Sequence, residues 1–178
     1  MRVITFSRQF PVSHPKKGEP TFFPESIING LGLHVEYIQR QKFDWMSDFA
    51  LSLNDPKFHT IRAGNRWKVG DWFSPRVWSG KPYASKQIQF ASDIQIKKIW
   101  EFEFINSTYN GEFGHDKGRW FLIDNIVISD YERGLLAKND GLDEDDFIDW
   151  FKCHPKKKET FKGQILCWNE NINYLTNE

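Results

Sequence analysis

The sequence has few cysteines and no long apolar run, and these absences exclude several classes of protein. Cys153 and Cys167 are too few for a disulfide framework, and no CxxC or CxxH spacing supports a structural zinc site. We therefore expect neither a metal site nor a cofactor. No segment approaches the roughly twenty apolar residues of a membrane span, and the opening MRVITFSRQF has no signal-peptide core. These features predict a cytoplasmic protein without a membrane partner.

The chain also lacks net charge, since 24 basic residues balance 24 acidic ones. A protein that coats long duplex DNA neutralises many phosphates, so long duplex DNA is not an expected partner. The neutral total hides a basic block, in which Asp71 is the only acid: Lys57, Arg62, Arg66, Lys68, Arg76, Lys81 and Lys86. A local patch on a neutral protein suits a small or short anionic ligand.

An acidic block follows near the end of the chain, from Asp140 to Asp149. Asp143 is a suitable helix N-cap, and the acids behind it favour the positive end of the helix dipole. Phe147, Trp150 and Phe151 then recur at the spacing of one buried helix face. The block therefore predicts a capped helix rather than a metal site.

The remaining pattern predicts one α+β domain over residues 1–178, with insertions near 11–53 and 106–117. The 16% aromatic content is typical of a small β-barrel filled with large side chains. Pro24 predicts a short helix ending near Gly30, and one or two helices are expected between His34 and Leu53. Strands are predicted at Val3–Phe6, Gln87–Phe90, Ile94–Trp100, Trp120–Ile128 and Gly163–Trp168.

The segment KFHTIR carries the most chemistry, because Lys57, Thr60 and Arg62 supply an amine, a hydroxyl and a guanidinium. Residues three apart in a strand point to opposite faces, so Lys57 and Thr60 can meet one ligand only if Lys57 precedes the strand. The preceding Asp55-Pro56 favours that placement. A second stretch, from Ser74 to Tyr83, interleaves basic and aromatic residues, as nucleotide-binding surfaces do.

These pieces, taken in order, resemble the ASCH family of the PUA-like superfamily. The matching motifs are Ile4-Thr5-Phe6, Lys57-x-x-Thr60-Ile61-Arg62, Gly70-Asp71, Ala137-x-x-Asp140-Gly141-Leu142 and Gln164-Ile165-Leu166. The resemblance implies a PUA-like mixed β-barrel with flanking helices. It also implies a cleft between residues 57–86 and 137–142 that takes RNA or a modified nucleoside.

Some small members of the family resemble amidohydrolases that deacetylate acetylated cytidine. Their functional Lys, Thr and Glu fall on Lys57, Thr60 and Asp140, where Asp replaces the family Glu. Asp is shorter by one methylene, and a displacement of about 1 Å can cost 10²-fold in a catalytic geometry. The substitution therefore leaves open whether this chain has the deacetylase activity that the alignment implies.

Three hypotheses about function follow, of which the third is a protein-interaction module. The first is a domain that binds RNA or a nucleoside-like small molecule. Its expected ligand-binding residues are Ser7, Arg8, His59, Arg62, Arg66, Arg76, Trp78 and Lys86. The second is a small hydrolase, an amidohydrolase or a ribonuclease, with Lys57, Thr60 and Asp140 as catalytic residues. The oligomeric state is not predicted by either reading.

Overall fold

The computed structural model describes residues 2–33, 54–107, 118–152 and 160–174. The helices expected between His34 and Leu53 lie outside these ranges, as does most of the expected insertion at 106–117. None of the described helices combines the length and the apolar character that crossing a membrane requires.

The described strands form two sheets. The first contains β1 (Arg2–Thr5), β3 (Trp72–Trp78), β4 (Gln87–Gln89) and β5 (Ile94–Gln95). The second has the order β2 (His59–Ala63), β9 (Thr160–Cys167), β6 (Lys98–Ser107), β7 (Gly118–Ile123) and β8 (Ile126–Val127). All pairings are antiparallel except that of β1 with β3, which is parallel.

The prediction of an α+β fold is confirmed, but the predicted barrel is wrong. The strands form two open sheets, and among the described residues no strand pairing joins one sheet to the other. β8 is a two-residue edge strand whose Ile126 and Val127 are both exposed, so it ends the second sheet at the surface. Closure requires edge strands that pair with each other, and this edge has no such partner within the described chain.

The aromatic residues pack between sheet and helix instead of filling a barrel. Phe102, Phe104 and Phe121 lie on one face of the second sheet, against Phe147 and Phe151 of α3 (Glu144–Lys152). Ring centroids are 5.0 Å apart for Phe102–Phe151 and 4.9 Å for Phe104–Phe121. The predicted cap of this helix is confirmed, since Asp143 Oδ1 accepts from the backbone N–H of Asp146 at 2.8 Å.

Two further helices hold the segments that carry the chemistry. The predicted α1 spans Phe23–Gly30, with Pro24 in its first turn. α2 (Asp130–Asn139) was not predicted, although a capping box starts it: the Ser129 hydroxyl accepts from the Glu132 amide, and the Glu132 carboxylate accepts from the Ser129 amide. The end of α2 places Asp140 beside Lys57.

Gly30 lets the end of α1 pack directly against the backbone of Lys57, which precedes β2. A Cβ at this position would lie 2.1 Å from the carbonyl oxygen of Lys57. We expect Gly30→Ala to lower the free energy of unfolding by about 3 kcal/mol, because the backbone must shift to admit the methyl group. Urea denaturation measures the change.

Gly134→Ala in α2 is the matched control. Within the described part of the chain, its added Cβ would meet only Glu144 Oε2, at 3.7 Å. Removing a helical glycine should stabilise the protein by about 0.5–1 kcal/mol. Equal stability of Gly30→Ala and the wild type would contradict the close approach of α1 to Lys57.

Candidate functional site

Lys57 and Asp140 form a buried ion pair. Lys57 lies in the loop before β2, as the sequence predicted, and it is 1% exposed. Its Nζ donates to the carboxylate Oδ1 and to the backbone carbonyl of Asp140. The ammonium also lies 4.4 Å from the centroid of the Phe23 ring. Three groups of the protein therefore surround this charge.

The pair joins three elements through the backbone as well as the side chains. The Lys57 N–H donates to the carbonyl of Ser26 in α1, and the Phe58 N–H donates to the carbonyl of Asn139 in α2, both at 2.8 Å. Asp140 caps the C-terminus of α2. The following Gly141 has φ +72°, the left-handed conformation that glycine adopts without strain. The expected catalytic lysine and aspartate thus meet at the junction of α1, α2 and β2.

Burial shifts the pKa of each partner in the direction that favours its neutral form. It lowers the pKa of Lys57 to about 8, because the Arg62 charge adds to desolvation and the Asp140 charge only partly opposes them. Burial likewise raises the pKa of Asp140, against the opposing charges of Lys57 and Arg62. A lysine with a pKa near 8 can act as a base more readily than a free lysine.

His59 and Tyr174 extend this cluster. The Tyr174 hydroxyl lies 2.7 Å from His59 Nδ1, and His59 Nε2 lies 3.6 Å from Asp140 Oδ1. Burial and the nearby Lys57 charge lower the pKa of His59 well below its ordinary range, so the imidazole is neutral at pH 7. A neutral ring that accepts the Tyr174 proton at Nδ1 carries its own proton at Nε2, toward Asp140.

Thr60 and Arg62 occupy neighbouring positions on β2. Thr60 is buried and pairs with Leu166 of β9. Arg62 reaches across to β1, where its Nη2 donates to the Thr5 carbonyl at 3.2 Å and its guanidinium lies 5.0 Å from the Phe6 ring centroid. Its buried Nε has no hydrogen-bond partner among the described residues, and desolvation lowers the pKa of Arg62 to about 10. This charge therefore contacts both Thr5 and Phe6.

Thr5 and Phe6 also line a cavity of about 950 Å³. Because β1 and β3 are parallel, with Thr5 opposite Arg76, the residues that follow both strands leave the sheet at the same edge. Residues 5–12 form one wall, and Trp78 with residues 80–83 forms another. Pro20, Phe22 and Glu25 complete the lining. One parallel pairing thus brings together residues that are some seventy positions apart.

The cavity wall combines aromatic and charged side chains. Trp78 and Tyr83 have ring centroids 5.3 Å apart, and Tyr83 is 91% exposed. Phe22 and Tyr83 both have positive φ, at 53° and 63°. Non-glycine residues in this region of backbone space are uncommon and cluster at functional sites. Arg8 and Lys81 add positive charge to the same lining.

The structure divides the expected site residues into three groups. His59 and Arg62 lie near the buried Lys57–Asp140 pair. Ser7, Arg8 and Trp78 line the cavity. The remaining three belong to neither group. The Arg66 guanidinium lies beside the Trp67 ring, and Arg76 Nε donates to Ser74 Oγ at 3.1 Å. Lys86 is exposed at the end of the 79–86 loop. The segments 57–58 and 139–141 contact each other directly.

Sequence reasoning missed Glu25 and Tyr174. Glu25 lies in the first turn of α1, and its position behind Pro24 signals a helix start but not a cavity wall. Tyr174 follows the last strand, where no local pattern marks it as a partner of His59. Within the described ranges, no three His, Cys, Asp or Glu side chains lie close enough together to hold a metal ion.

Comparisons with family models, with curated proteins and with solved structures found no match for this chain. The ASCH resemblance therefore stays a prediction that rests on the motifs alone.

Removing one partner of the buried pair should be costly. We expect Asp140→Asn to lower the free energy of unfolding by about 3–5 kcal/mol, because the Lys57 ammonium loses its opposing charge in a buried position. The double variant Lys57→Met/Asp140→Asn should recover at least half of this loss. Urea denaturation of the two single variants and the double variant measures the coupling.

The control is Lys138→Met, which removes an exposed lysine lying 3.9 Å from Asp55. It should change stability by about 0.5 kcal/mol or less. Additive effects of Lys57→Met and Asp140→Asn would contradict a direct interaction between the two charges.

His59 should make the protein less stable in mild acid. Below pH 6.5 the unfolded chain protonates this imidazole, while the folded state with its lowered pKa does not. Lowering the pH from 6.5 to 5.5 should therefore cost the wild type about 1 kcal/mol more than His59→Gln. Urea denaturation at both pH values tests this, and parallel losses in the two proteins would refute a neutral buried His59.

Proposed function

We propose that this protein binds RNA or a modified nucleoside, with one nucleotide unit in the cavity beside Trp78 and Tyr83. The observation that carries the proposal is the lining, which combines aromatic rings with Arg8 and Lys81 around one space. A volume of about 950 Å³ is within the range of small-molecule sites.

The aromatic groups provide stacking surfaces for a base. Phe22, Trp78 and Tyr83 all line the cavity, and the Tyr83 ring is almost fully exposed. Base–aromatic stacking contributes about 1–3 kcal/mol per base and tolerates different bases. Single-stranded RNA and free nucleosides present unstacked bases, which is what such a wall can take.

The cations provide a complementary contact for phosphate. Arg8 and Lys81 lie at the cavity, and the Arg62 guanidinium contacts Thr5 and Phe6, which also line it. The neutral net charge of the chain agrees with a site for one or a few phosphates. A cytoplasmic location belongs to the same proposal, because the chain has few cysteines and the proposed ligands occur in that compartment.

A hydrolase is the second candidate, and the Lys57–Asp140 contact favours it. In that mechanism neutral Lys57 takes the Thr60 hydroxyl proton as the oxygen bonds to the acyl carbon, and this proton passes through Asp140 to the leaving amine as the C–N bond breaks. Water then hydrolyses the Thr60 ester and releases the acid. Lys57 has a pKa lowered to about 8, as such a base requires. Binding ranks first, because Lys57 is buried and does not line the cavity where a ligand would sit.

Replacing the exposed ring should weaken binding. We expect Tyr83→Ala to lower the affinity for a short single-stranded RNA or a nucleotide about tenfold, through loss of stacking. Tyr131→Ala is the matched control, since Tyr131 is 76% exposed on α2 and does not line the cavity. Fluorescence titration of both variants measures the difference.

Equal affinities in the two variants would place the ligand elsewhere. If no RNA, nucleoside or nucleotide binds the wild type, the proposal is wrong. Deacetylation of N4-acetylcytidine by the wild type but not by folded Lys57→Met would establish the second candidate.

A further inference from the structure

Glu25 is the one carboxylate among the described residues of the cavity lining. It is only 5% exposed, although the space beside it is open. Burying a carboxylate is costly unless hydrogen-bond donors satisfy it. The charge of Arg8 acts on this carboxylate, and the neighbouring cavity gives room for a ligand that supplies further donors.

The backbone around Glu25 is held on both sides. The Ser26 amide donates to the Phe22 carbonyl at 2.9 Å, and the Ser26 carbonyl accepts from the Lys57 amide at 2.8 Å. Lys57 is in turn fixed by Asp140. The first turn of α1 is therefore anchored to the buried ion pair, and the backbone of Glu25 is held in place at the cavity wall. Positioned groups of this kind discriminate between ligands.

A carboxylate offers two acceptor oxygens and no donor when ionised. Its best planar partner presents two neighbouring N–H donors. Among the unprotonated bases, only guanine does so on one edge, through N1–H and the N2 amino group. Adenine and cytosine present one amino group beside an acceptor nitrogen, and uracil presents one N–H between two carbonyls.

We propose that the cavity selects a guanine-type base, which donates its N1–H and N2–H to the two carboxylate oxygens of Glu25. This inference rests on the proposed nucleotide-binding function and names the base for the same site. The base stacks on the aromatic wall, while Lys81 takes the phosphate. The opposite charges of the lining thus match the two ends of one nucleotide.

The electrostatics of Glu25 support this assignment. Desolvation raises the pKa of the carboxyl, and a hydrogen bond from its own amide and the charge of Arg8 only partly offset the effect. Two further donors from a ligand favour the ionised form. Guanine binding should therefore release protons in mildly acidic solution and weaken as the pH falls through the pKa of free Glu25.

The test is calorimetric titration of the intact chain with GMP, IMP, AMP, CMP and UMP. GMP should bind roughly 10- to 100-fold more tightly than AMP, CMP and UMP, as expected for a good bidentate contact. IMP lacks the N2 amino group and should fall between GMP and the others. Glu25→Gln places an amide donor opposite a guanine donor, so it should lose the preference for GMP and gain relative affinity for AMP.

Glu19→Gln is the matched control, because it makes the same charge change at an exposed loop position outside the cavity lining. It should keep the wild-type order of affinities. Thermal unfolding verifies that both variants fold. If Glu25→Gln does not fold, the wild type still tests the proposal. Tighter binding of GMP than of IMP, weakening as the pH falls, would support the role of Glu25, and equal affinities would overturn it.

The outcomes separate the two proposals. Equal wild-type affinities for all five nucleotides, or a GMP preference that survives in Glu25→Gln, would overturn the role of Glu25 but leave nucleotide binding intact. Absence of binding by every nucleotide and by single-stranded RNA would overturn both.

Discussion

The buried contact between Lys57 and Asp140 is the constraint on which the rest of this structure depends. Desolvating two charges costs several kcal/mol per ion, and only well-aligned hydrogen bonds and close partners repay it. Here the ammonium is satisfied by the carboxylate, a backbone carbonyl and the Phe23 ring. The adjoining backbone bonds to Ser26 and Asn139, so the pair also fixes where α1 and α2 meet β2. A buried charge pair thus sets the geometry of three elements.

That geometry reaches the cavity through α1. The same helix carries Phe23 at the ion pair and Glu25 at the cavity, and Phe22 precedes it. The second wall depends on a different constraint, the parallel pairing of β1 with β3, which delivers residues 7–12 and 78–83 to one edge. Arg62 links the two parts, since it lies on β2 and donates to the carbonyl of Thr5, which lines the cavity. The buried pair and the open cavity are therefore connected through α1 and Arg62, although Lys57 and Asp140 do not line the cavity.

The sequence predicted what local patterns determine. Pro24, the Asp143 cap and the alternation in the strands gave α1, α3 and most strand positions, and Asp55-Pro56 correctly placed Lys57 before β2. The Ser129–Glu132 capping box would have revealed α2. Closure of a barrel depends on which edges pair, and no local pattern carries that information. The cavity escaped prediction for the same reason: it needs residue 5 beside residue 76, whereas the basic block suggested that Arg66, Arg76 and Lys86 would act together because they are close in sequence.

The two charge signs in the cavity have different physical roles. Lys81 is exposed, so water and salt screen its attraction for phosphate, and its contribution to affinity is small. Glu25 is buried, where a hydrogen bond made or missed weighs more and the carboxylate repels a phosphate. In the binding mode that we propose, a nucleotide therefore has one favourable orientation, with its base toward α1 and its phosphate toward the 80–83 loop. In the same proposal, the aromatic wall supplies affinity for any base, and the buried carboxylate on α1 discriminates between bases.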